Sequence, residues 1–259
     1  DNIYLDKEDN LLSAGTENTQ ITWMDVKIDN HAITPRSGKT VELNALWYNA
    51  LKIMARLAEK YEDKQLCRKY LEMAEKTKKS FDEKFYNEEK NCLFDVLGDS
   101  KVRPNQLFAL SLSHPIVDNA EIAEQVLNTV ENKLLNRYGL KTLSADEEGY
   151  VDVYEGSVYK RDSSYHQGIT WPWLLGLYYD ALKNTVLIEK NRARKQELEE
   201  KIIRLVDTTK ETFKTEMFER SSIGTISEIY DSTEPYEERG AFAQAWSVAE
   251  VFRIVLNKR

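Results

Sequence analysis

The sequence has few cysteines, no long apolar run and no excess of positive charge, and each shortage excludes a class of protein. Only two of its 259 residues are cysteines, too few for a disulfide framework, and no group of cysteine and histidine residues has zinc-site spacing. Neither a run of 18 apolar residues nor a signal peptide is present. We therefore expect a protein of a reducing compartment, the cytoplasm, that does not span a membrane.

Its charge and its missing motifs narrow the function further. The 44 acidic residues outnumber the 36 basic ones, giving a net charge of −8, which disfavours nucleic acid and anionic membranes as partners. A glycine-rich phosphate loop, a Gly-x-Ser-x-Gly nucleophile motif and a cluster of metal ligands are all absent from the sequence. A neutral substrate fits this composition best.

Apolar residues recur with helical spacing in about seven segments, and 41% of the residues are hydrophobic. Residues 1–21 lack this period and are compatible with either an edge strand or a loop. The predicted helices cover approximately residues 40–61, 66–81, 104–112, 118–134, 172–182, 198–213 and 242–254.

Short and long connections alternate between these helices. In an antiparallel array, this alternation puts all the long connections at one end. Long loops in a compact domain are usually functional. The sequence therefore predicts one site built from residues 22–41, 86–103, 137–170 and 215–239.

The predicted loops are rich in carboxylates and aromatic rings. Trp171 and Trp173 follow His166 and Gln167, and this combination offers flat apolar faces and directional polar groups to a sugar. The alternative for this stretch is a helix start with tryptophans packed in the core. Two carboxylates beside aromatic platforms are typical of glycoside hydrolysis, although composition does not select the two.

Eight motifs in one order, within residues 22–250, resemble the amylo-α-1,6-glucosidase domain of glycogen debranching enzymes. They are Thr22-Trp23-Met24-Asp25, Thr34-Pro35-Arg36-x-Gly38-Lys39, Val41-Glu42-Leu43-Asn44-Ala45-Leu46-Trp47-Tyr48-Asn49, Arg103-Pro104-Asn105-Gln106, Tyr138-Gly139-Leu140-x-Thr142-Leu143, Arg161-Asp162-x-x-Tyr165-His166-Gln167-Gly168-x-x-Trp171-Pro172-Trp173, Ser227-Glu228-Ile229-Tyr230-Asp231 and Ala243-Gln244-Ala245-Trp246-Ser247.

The resemblance implies hydrolysis of α-1,6-linked glucose in glycogen or a branched α-glucan, with inversion and without a cofactor. It implies that Asp25 is the general acid and Glu228 the general base. The residues implied to bind sugar are Trp23, Glu42, Arg103, Asn105, Gln106, Asp162, Tyr165, His166, Trp171, Trp173, Gln244 and Trp246.

The resemblance also implies an all-α fold, the C-terminal part of an (α/α)6 barrel, or six-hairpin toroid, with long loops on one face. We expect residues 1–259 to form a single domain of this kind. Seven helices are fewer than such a barrel contains, and the chain opens on Asp1 rather than Met. The expectation is therefore that the N-terminal helices are missing, and that a further segment or a partner chain completes the barrel.

The implied mechanism sets two physical requirements. Asp25 must stay protonated near neutral pH, so we expect Trp23 and a nearby carboxylate to raise its pKa. Glu228 must stay ionised and hold a water molecule on the other side of the sugar. Inversion then predicts carboxyl groups about 6.5–9.5 Å apart.

Each of these roles has an alternative. Asp25 could cap a turn, Asp231 is the rival base, and Glu42 could be a helix acid stabilised by the helix dipole. Some of the tryptophans could pack only against helices. At the level of the whole protein, the alternatives are a glucan-binding module without catalysis and a glucoamylase-like or trehalase-like hydrolase.

Overall fold

A computed structural model describes residues 2–220 and 223–256 of the chain. Eight α-helices lie within these residues, one more than the sequence predicts. They are α1 (Val41–Lys60), α2 (Lys64–Lys84), α3 (Phe108–Ser111), α4 (Ala120–Lys133), α5 (Val158–Ser164), α6 (Leu174–Ile188), α7 (Arg192–Glu219) and α8 (Ala245–Leu256).

The helices pack mainly with their neighbours in the chain. Helix α1 lies along α2, α6 lies along α7, and α8 contacts both α6 and α7. Helix α3 joins the two groups because it contacts both α1 and α6. Phe81, Leu127 and Trp171 are among the fully buried side chains between these elements, and burying a side chain of this size contributes about 1.5–3 kcal/mol.

Short strands connect the helices, and the sequence analysis did not predict them. The strands are β1 (Ile3–Leu5), β2 (Leu12–Ala14), β3 (Lys27–Ile28), β4 (His31–Ala32), β5 (Tyr86–Asn87), β6 (Cys92–Leu93), β7 (Leu135–Asn136), β8 (Gly139–Lys141), β9 (Thr170–Trp171), β10 (Ile229–Tyr230) and β11 (Glu238–Arg239). The first three pairs are antiparallel hairpins. The β1–β2 hairpin settles the question left open for residues 1–21 in favour of strand.

The last five strands form one antiparallel sheet in the order β11-β10-β9-β8-β7. Its central pairings join distant parts of the chain: Leu140 lies opposite Trp171, and Thr170 lies opposite Tyr230. Gly139 has a φ of +156° and its Cα lies against the Trp171 carbonyl, where a Cβ atom would come within 2.3 Å of the oxygen. The sheet therefore ties the third and fourth long loops together.

Three sequence predictions need correction. The expected all-α architecture is a helix-rich fold with a small sheet, since strands of two or three residues are too short to show a period. The predicted helix over 104–112 is a 3-10 turn, Pro104–Leu107, followed by the four residues of α3. The connection 137–170 contains α5, and α6 ends at Ile188, beyond the predicted 182.

A fully buried glutamate supports the edge of the sheet. Glu216 on α7 is 0% exposed, and its Oε1 accepts a hydrogen bond of 2.8 Å from the Tyr230 hydroxyl. Arg220 Nε lies 3.4 Å from the other carboxylate oxygen and 2.8 Å from Oε1 of Glu238. Burial raises the pKa of Glu216 from 4.5 to about 7, and the nearby Glu238 adds to this effect.

This pKa makes stability depend on pH. Between pH 4.5 and about 7 the folded protein holds a proton on Glu216 that the unfolded chain has released, so stability falls as the pH rises through this window. We expect Glu216→Gln to remove this dependence. The free energy of unfolding of the variant minus that of wild type is expected to be higher at pH 8 than at pH 4.5, by up to about 3 kcal/mol.

Urea unfolding at the two pH values measures this difference. The exposed Glu211 on the same helix provides the control, and Glu211→Gln is expected to show little pH-dependent change. Equal effects of Glu216→Gln at both pH values would contradict the prediction.

Within the described part of the chain, every helix is too short or too polar to cross a bilayer.

Candidate active site

The four long loops meet at one site, as the alternation of connections predicts. Side chains of one loop bind groups of another directly. Three hydrogen bonds join them: Arg36 Nε to Asp95 Oδ2 (2.6 Å), Gln167 Nε2 to the Ile33 carbonyl (3.1 Å), and the Tyr165 hydroxyl to Glu228 Oε1.

Asp25 lies on the first loop, between the buried Met24 and strand β3. Its side chain is 63% exposed, and its Oδ1 lies 3.8 Å from Nε2 of His166, which is longer than a hydrogen bond. The contact with His166 lowers the pKa of Asp25, and partial burial offsets only part of this effect. The expectation that the surroundings raise the pKa of Asp25 is therefore wrong.

His166 is enclosed by aromatic rings and is only 1% exposed. Its ring stacks on Trp171 with centroids 5.3 Å apart, and the edge contact with Trp23 is 5.2 Å. Burial lowers the pKa of His166, although Asp25 favours the charged form, so the imidazole is neutral at neutral pH. Among the described residues, neither ring nitrogen has a hydrogen-bond partner.

Glu228 lies immediately before strand β10 and is half-buried. Its Oε1 accepts hydrogen bonds from the Tyr165 hydroxyl and, at 3.3 Å, from Gln244 Nε2. Its Oε2 accepts one of 2.9 Å from the Ala241 amide. The carboxylate is thus held by three donors from two loops, which fix its orientation.

Asp231, the rival base, is placed differently. It is 3% exposed, and its Oδ2 accepts hydrogen bonds from Nε (3.0 Å) and Nη2 (2.7 Å) of Arg239. Its Oδ1 accepts a bond of 2.7 Å from the Tyr154 amide. Asp231 is therefore buried as well as hydrogen-bonded, whereas Glu228 is half-buried, which favours Glu228 as the carboxylate available to a substrate.

Four tryptophans form a continuous aromatic floor, defined here as Trp23, Trp171, Trp173 and Trp246. Trp23 meets Trp171 at 5.5 Å and Trp173 at 5.0 Å, and Trp246 stacks on Trp173 at 5.1 Å. Trp171 is 1% exposed whereas Trp246 is 36% exposed. The structure thus favours the packing interpretation for Trp171 and leaves apolar ring surface at Trp246 for a ligand.

A buried polar network lies below the floor. The Trp23 indole donates to Asn105 Oδ1 (2.7 Å), and Asn105 Nδ2 donates to Asp95 Oδ1 (2.8 Å). Arg36 binds Asp95 on one side and both carboxylate oxygens of Glu42 on the other. Burial opposes the charge of Arg36, but the two carboxylates keep its pKa above the ordinary value. This placement favours a structural role over a sugar contact for Glu42 and Asn105.

Arg103 and Gln106 also lie beneath the site surface, at 3% and 1% exposure. Arg103 Nη1 donates to the carbonyls of Thr142 (3.0 Å) and His166 (2.7 Å). Gln106 accepts from the Leu93 amide at 3.1 Å. Both side chains hold backbone in place, which favours a supporting role over the predicted direct sugar contacts.

Asp162 lies half-buried on α5, three residues before Tyr165. Burial raises the pKa of Tyr154, and the charges of Asp162 and Glu228 add to that rise. Asp162 and Glu228 therefore both lie close enough to the Tyr154 hydroxyl for their charges to act on it.

Sequence reasoning assigned no role to Arg36 or Asp95, although Arg36 belongs to a quoted motif. One available signal was Asp95 itself, a single acid inside the apolar run Leu93-Phe94-Asp95-Val96, because a carboxylate in such a run needs a cationic partner. Within residues 2–220 and 223–256, no group of three or more His, Cys, Asp or Glu side chains lies close enough together to hold a metal ion.

Two separated carboxylates beside an aromatic floor define the class of site found in glycoside hydrolases. The chain belongs to the amylo-alpha-1,6-glucosidase family, whose model matches residues 1–253.

Solved structures share the fold at low sequence identity. A sialidase matches 85% of this chain with a TM-score of 0.63 and 12% identity. A GH63 mannosylglycerate hydrolase from Thermus thermophilus, in complex with Tris and D-glycerate, matches 85% with a TM-score of 0.52 and 14% identity. An uncharacterized conserved protein from the same organism matches 85% with a TM-score of 0.53 and 15% identity. The chain spans 20%, 46% and 47% of those proteins, respectively.

Proposed function

We propose that this chain carries the active site of a glycoside hydrolase that removes α-1,6-linked glucose at the branch points of glycogen or a related α-glucan. The observation that carries the proposal is the placement of Asp25 and Glu228. Asp25 faces His166, and Glu228 binds the adjacent Tyr165. Each carboxylate thus contacts one of two consecutive residues, and the rings of both residues pack against Trp171 of the aromatic floor. Membership of the amylo-alpha-1,6-glucosidase family supports the same substrate.

In this mechanism, Asp25 protonates the departing glycosidic oxygen and Glu228 activates a water molecule on the opposite side of the sugar. The exposed Asp25 gains its proton when the substrate covers it, since exclusion of water raises the pKa of a carboxyl group. Three donors hold the Glu228 carboxylate in place for this role. Inversion calls for a separation of about 6.5–9.5 Å between the carboxyl groups, and the reaction uses no cofactor.

We also propose that the chain is one part of an (α/α)6 barrel, completed by a further segment of the protein or by a partner chain. Support comes from apolar side chains left exposed on the helices at the two ends of the array. On α1 these are Leu46, Ile53, Met54 and Leu57, and on α8 they are Phe252 and Leu256. Exposed apolar patches of this kind mark surfaces that other elements cover.

The test, made on the protein with its barrel completed, is the release of free glucose from a phosphorylase limit dextrin, compared with release from maltose and trehalose. We expect glucose from the limit dextrin only, and we expect the first product seen by NMR to be the β-anomer. Faster cleavage of maltose or trehalose would assign a different glucoside, and α-glucose as first product would contradict inversion.

One observation favours a second candidate, a glucan-binding module without catalysis. Asp25 is largely exposed and the pKa of its carboxyl group is lowered, which suits an ionised hydrogen-bond acceptor for sugar hydroxyls. Binding of the limit dextrin without release of glucose from any of the three substrates would support this candidate over the hydrolase.

A further inference from the structure

Two consecutive side chains reach the two different carboxylates of the site. The Tyr165 hydroxyl donates to Oε1 of Glu228, and Nε2 of His166 lies 3.8 Å from Oδ1 of Asp25. We propose that Tyr165 and His166 are positioning residues that together fix where the acid and the base stand relative to each other. This inference rests on the proposed function, which assigns Asp25 and Glu228 their roles.

The segment that carries the two side chains is fixed at three successive carbonyl groups. The Trp171 indole donates to the Tyr165 carbonyl at 3.1 Å. Arg103 Nη1 donates to the His166 carbonyl at 2.7 Å, and the Val151 amide donates to the next carbonyl at 2.7 Å. Three separate parts of the chain thus hold one short segment, so its side chains project from a rigid base.

Tyr165 is held by packing as well as by its hydroxyl. Its ring lies 4.8 Å from both His166 and Trp171, and 5.7 Å from Tyr154. The rings restrict the direction of the phenol, and the phenol in turn restricts Oε1 of Glu228. Because Ala241 holds the other carboxylate oxygen, the plane of the carboxylate is set by donors at both ends.

The ring nitrogens of His166 indicate a role beyond packing against the neighbouring aromatic rings. A phenylalanine would pack against Trp171 and Trp23 equally well. The histidine in addition buries two polar nitrogens, and burying them without hydrogen-bond partners costs free energy. Such groups in native proteins call for an explanation. The charged groups that act on the imidazole are Asp25, Arg103 and Glu228, and Asp25 is the one within 4 Å. A small movement of Asp25 completes this hydrogen bond when a sugar displaces water.

The experiment uses the full chain and three ring-preserving variants. Tyr165→Phe removes the hydroxyl, His166→Phe removes both nitrogens, and Tyr154→Phe is the matched control in the neighbouring ring. We expect kcat on the limit dextrin to fall about 10- to 100-fold in the first two variants, since misplacement by about 1 Å can cost 10²-fold. KM is expected to change far less, and the control is expected to keep both constants.

The conservative variant His166→Gln separates positioning from packing. Its side-chain amide supplies a donor but not an aromatic ring. We therefore expect His166→Gln to recover part of the kcat that His166→Phe loses. A kcat no higher than that of His166→Phe would show that a donor at this position does not restore turnover, and would overturn the role of the donor.

Carboxyl 13C NMR tests the contacts without relying on activity. His166→Phe is expected to raise the pKa of Asp25, because the imidazole lowers it in the wild type. Tyr165→Phe is expected to shift the Glu228 carboxyl resonance, and Tyr154→Phe is expected to leave both signals in place. If His166→Phe fails to fold, the exposed Asp25 offers the reciprocal change: Asp25→Asn is expected to lower the pKa of His166 further, because Asp25 raises it.

The kinetic and NMR measurements test the hydrolase function and the positioning role of Tyr165 and His166 separately. Absence of glucose release by the wild type with its barrel completed contradicts the proposed function, while the NMR signals still report on the contacts. If folded variants show unchanged kcat and unchanged carboxyl signals, Tyr165 and His166 only pack, and the inference is overturned.

Discussion

Replacing Glu228 with glutamine, or Asp25 with asparagine, is expected to lower kcat on the limit dextrin by about 10²–10⁴-fold, because a positioned general base or acid contributes about that much to the rate. Both changes keep the size of the side chain. The new amide oxygen at position 228 can still accept a hydrogen bond from Tyr165 or Ala241, and Asp25 is 63% exposed. Binding of the glucan and the melting temperature should therefore change little, which isothermal titration and circular dichroism check.

Asp231→Asn is the matched comparison, since this carboxylate lies three residues beyond Glu228. Its two oxygens bind Arg239 and the Tyr154 amide, so we expect reduced stability but turnover within a few-fold of wild type. A larger loss of turnover in Asp231→Asn than in Glu228→Gln would transfer the role of the base to Asp231.

Replacement of Arg36 with methionine is expected to destabilise the fold by about 3–5 kcal/mol, because removing one partner of a buried ion pair leaves the other charges uncompensated. Arg36 is 3% exposed, and it neutralises both Glu42 and Asp95, which are each 2% exposed. Urea unfolding at neutral pH measures the loss.

The comparison for Arg36→Met is Arg204→Met, which removes an exposed helical pair with Glu200 at 3.8 Å. Exposed pairs of this kind contribute about 0–1 kcal/mol. If Arg36→Met costs no more than Arg204→Met, then water or another cation compensates Glu42 and Asp95, and the network below the aromatic floor is not a determinant of stability.

The long helices could be predicted from the sequence because their apolar period repeats over many turns. Helix α1 was expected over 40–61 and extends over Val41–Lys60. Strands β9 and β10 contain two residues each, and a period cannot be recognised over so short a length. Their existence depends on pairing between distant loops, as with Thr170 and Tyr230, and a linear pattern does not contain that information.

The candidate site, like the fold, could be predicted from the sequence only in part. The meeting of the four loops followed from the alternation of short and long connections, and the resemblance singled out Asp25 and Glu228. The sequence could not separate residues exposed at the site surface from those that support them. Arg103 and Trp246 both belong to the eight motifs that carry the resemblance, yet Arg103 is 3% exposed and Trp246 is 36% exposed. That difference arises from tertiary packing, which also placed His166 where it lowers the pKa of Asp25.

The five-stranded sheet has a consequence for how the chain acquires its shape. The helical hairpins α1–α2 and α6–α7 join neighbours in sequence and can form early. By contrast, the hydroxyls of Thr170 and Ser232 meet at 2.7 Å across 62 residues, and contacts so distant in sequence form slowly because a large loop must first close. During refolding we therefore expect helical content to return first, and the ability to cleave a substrate to be the last property regained.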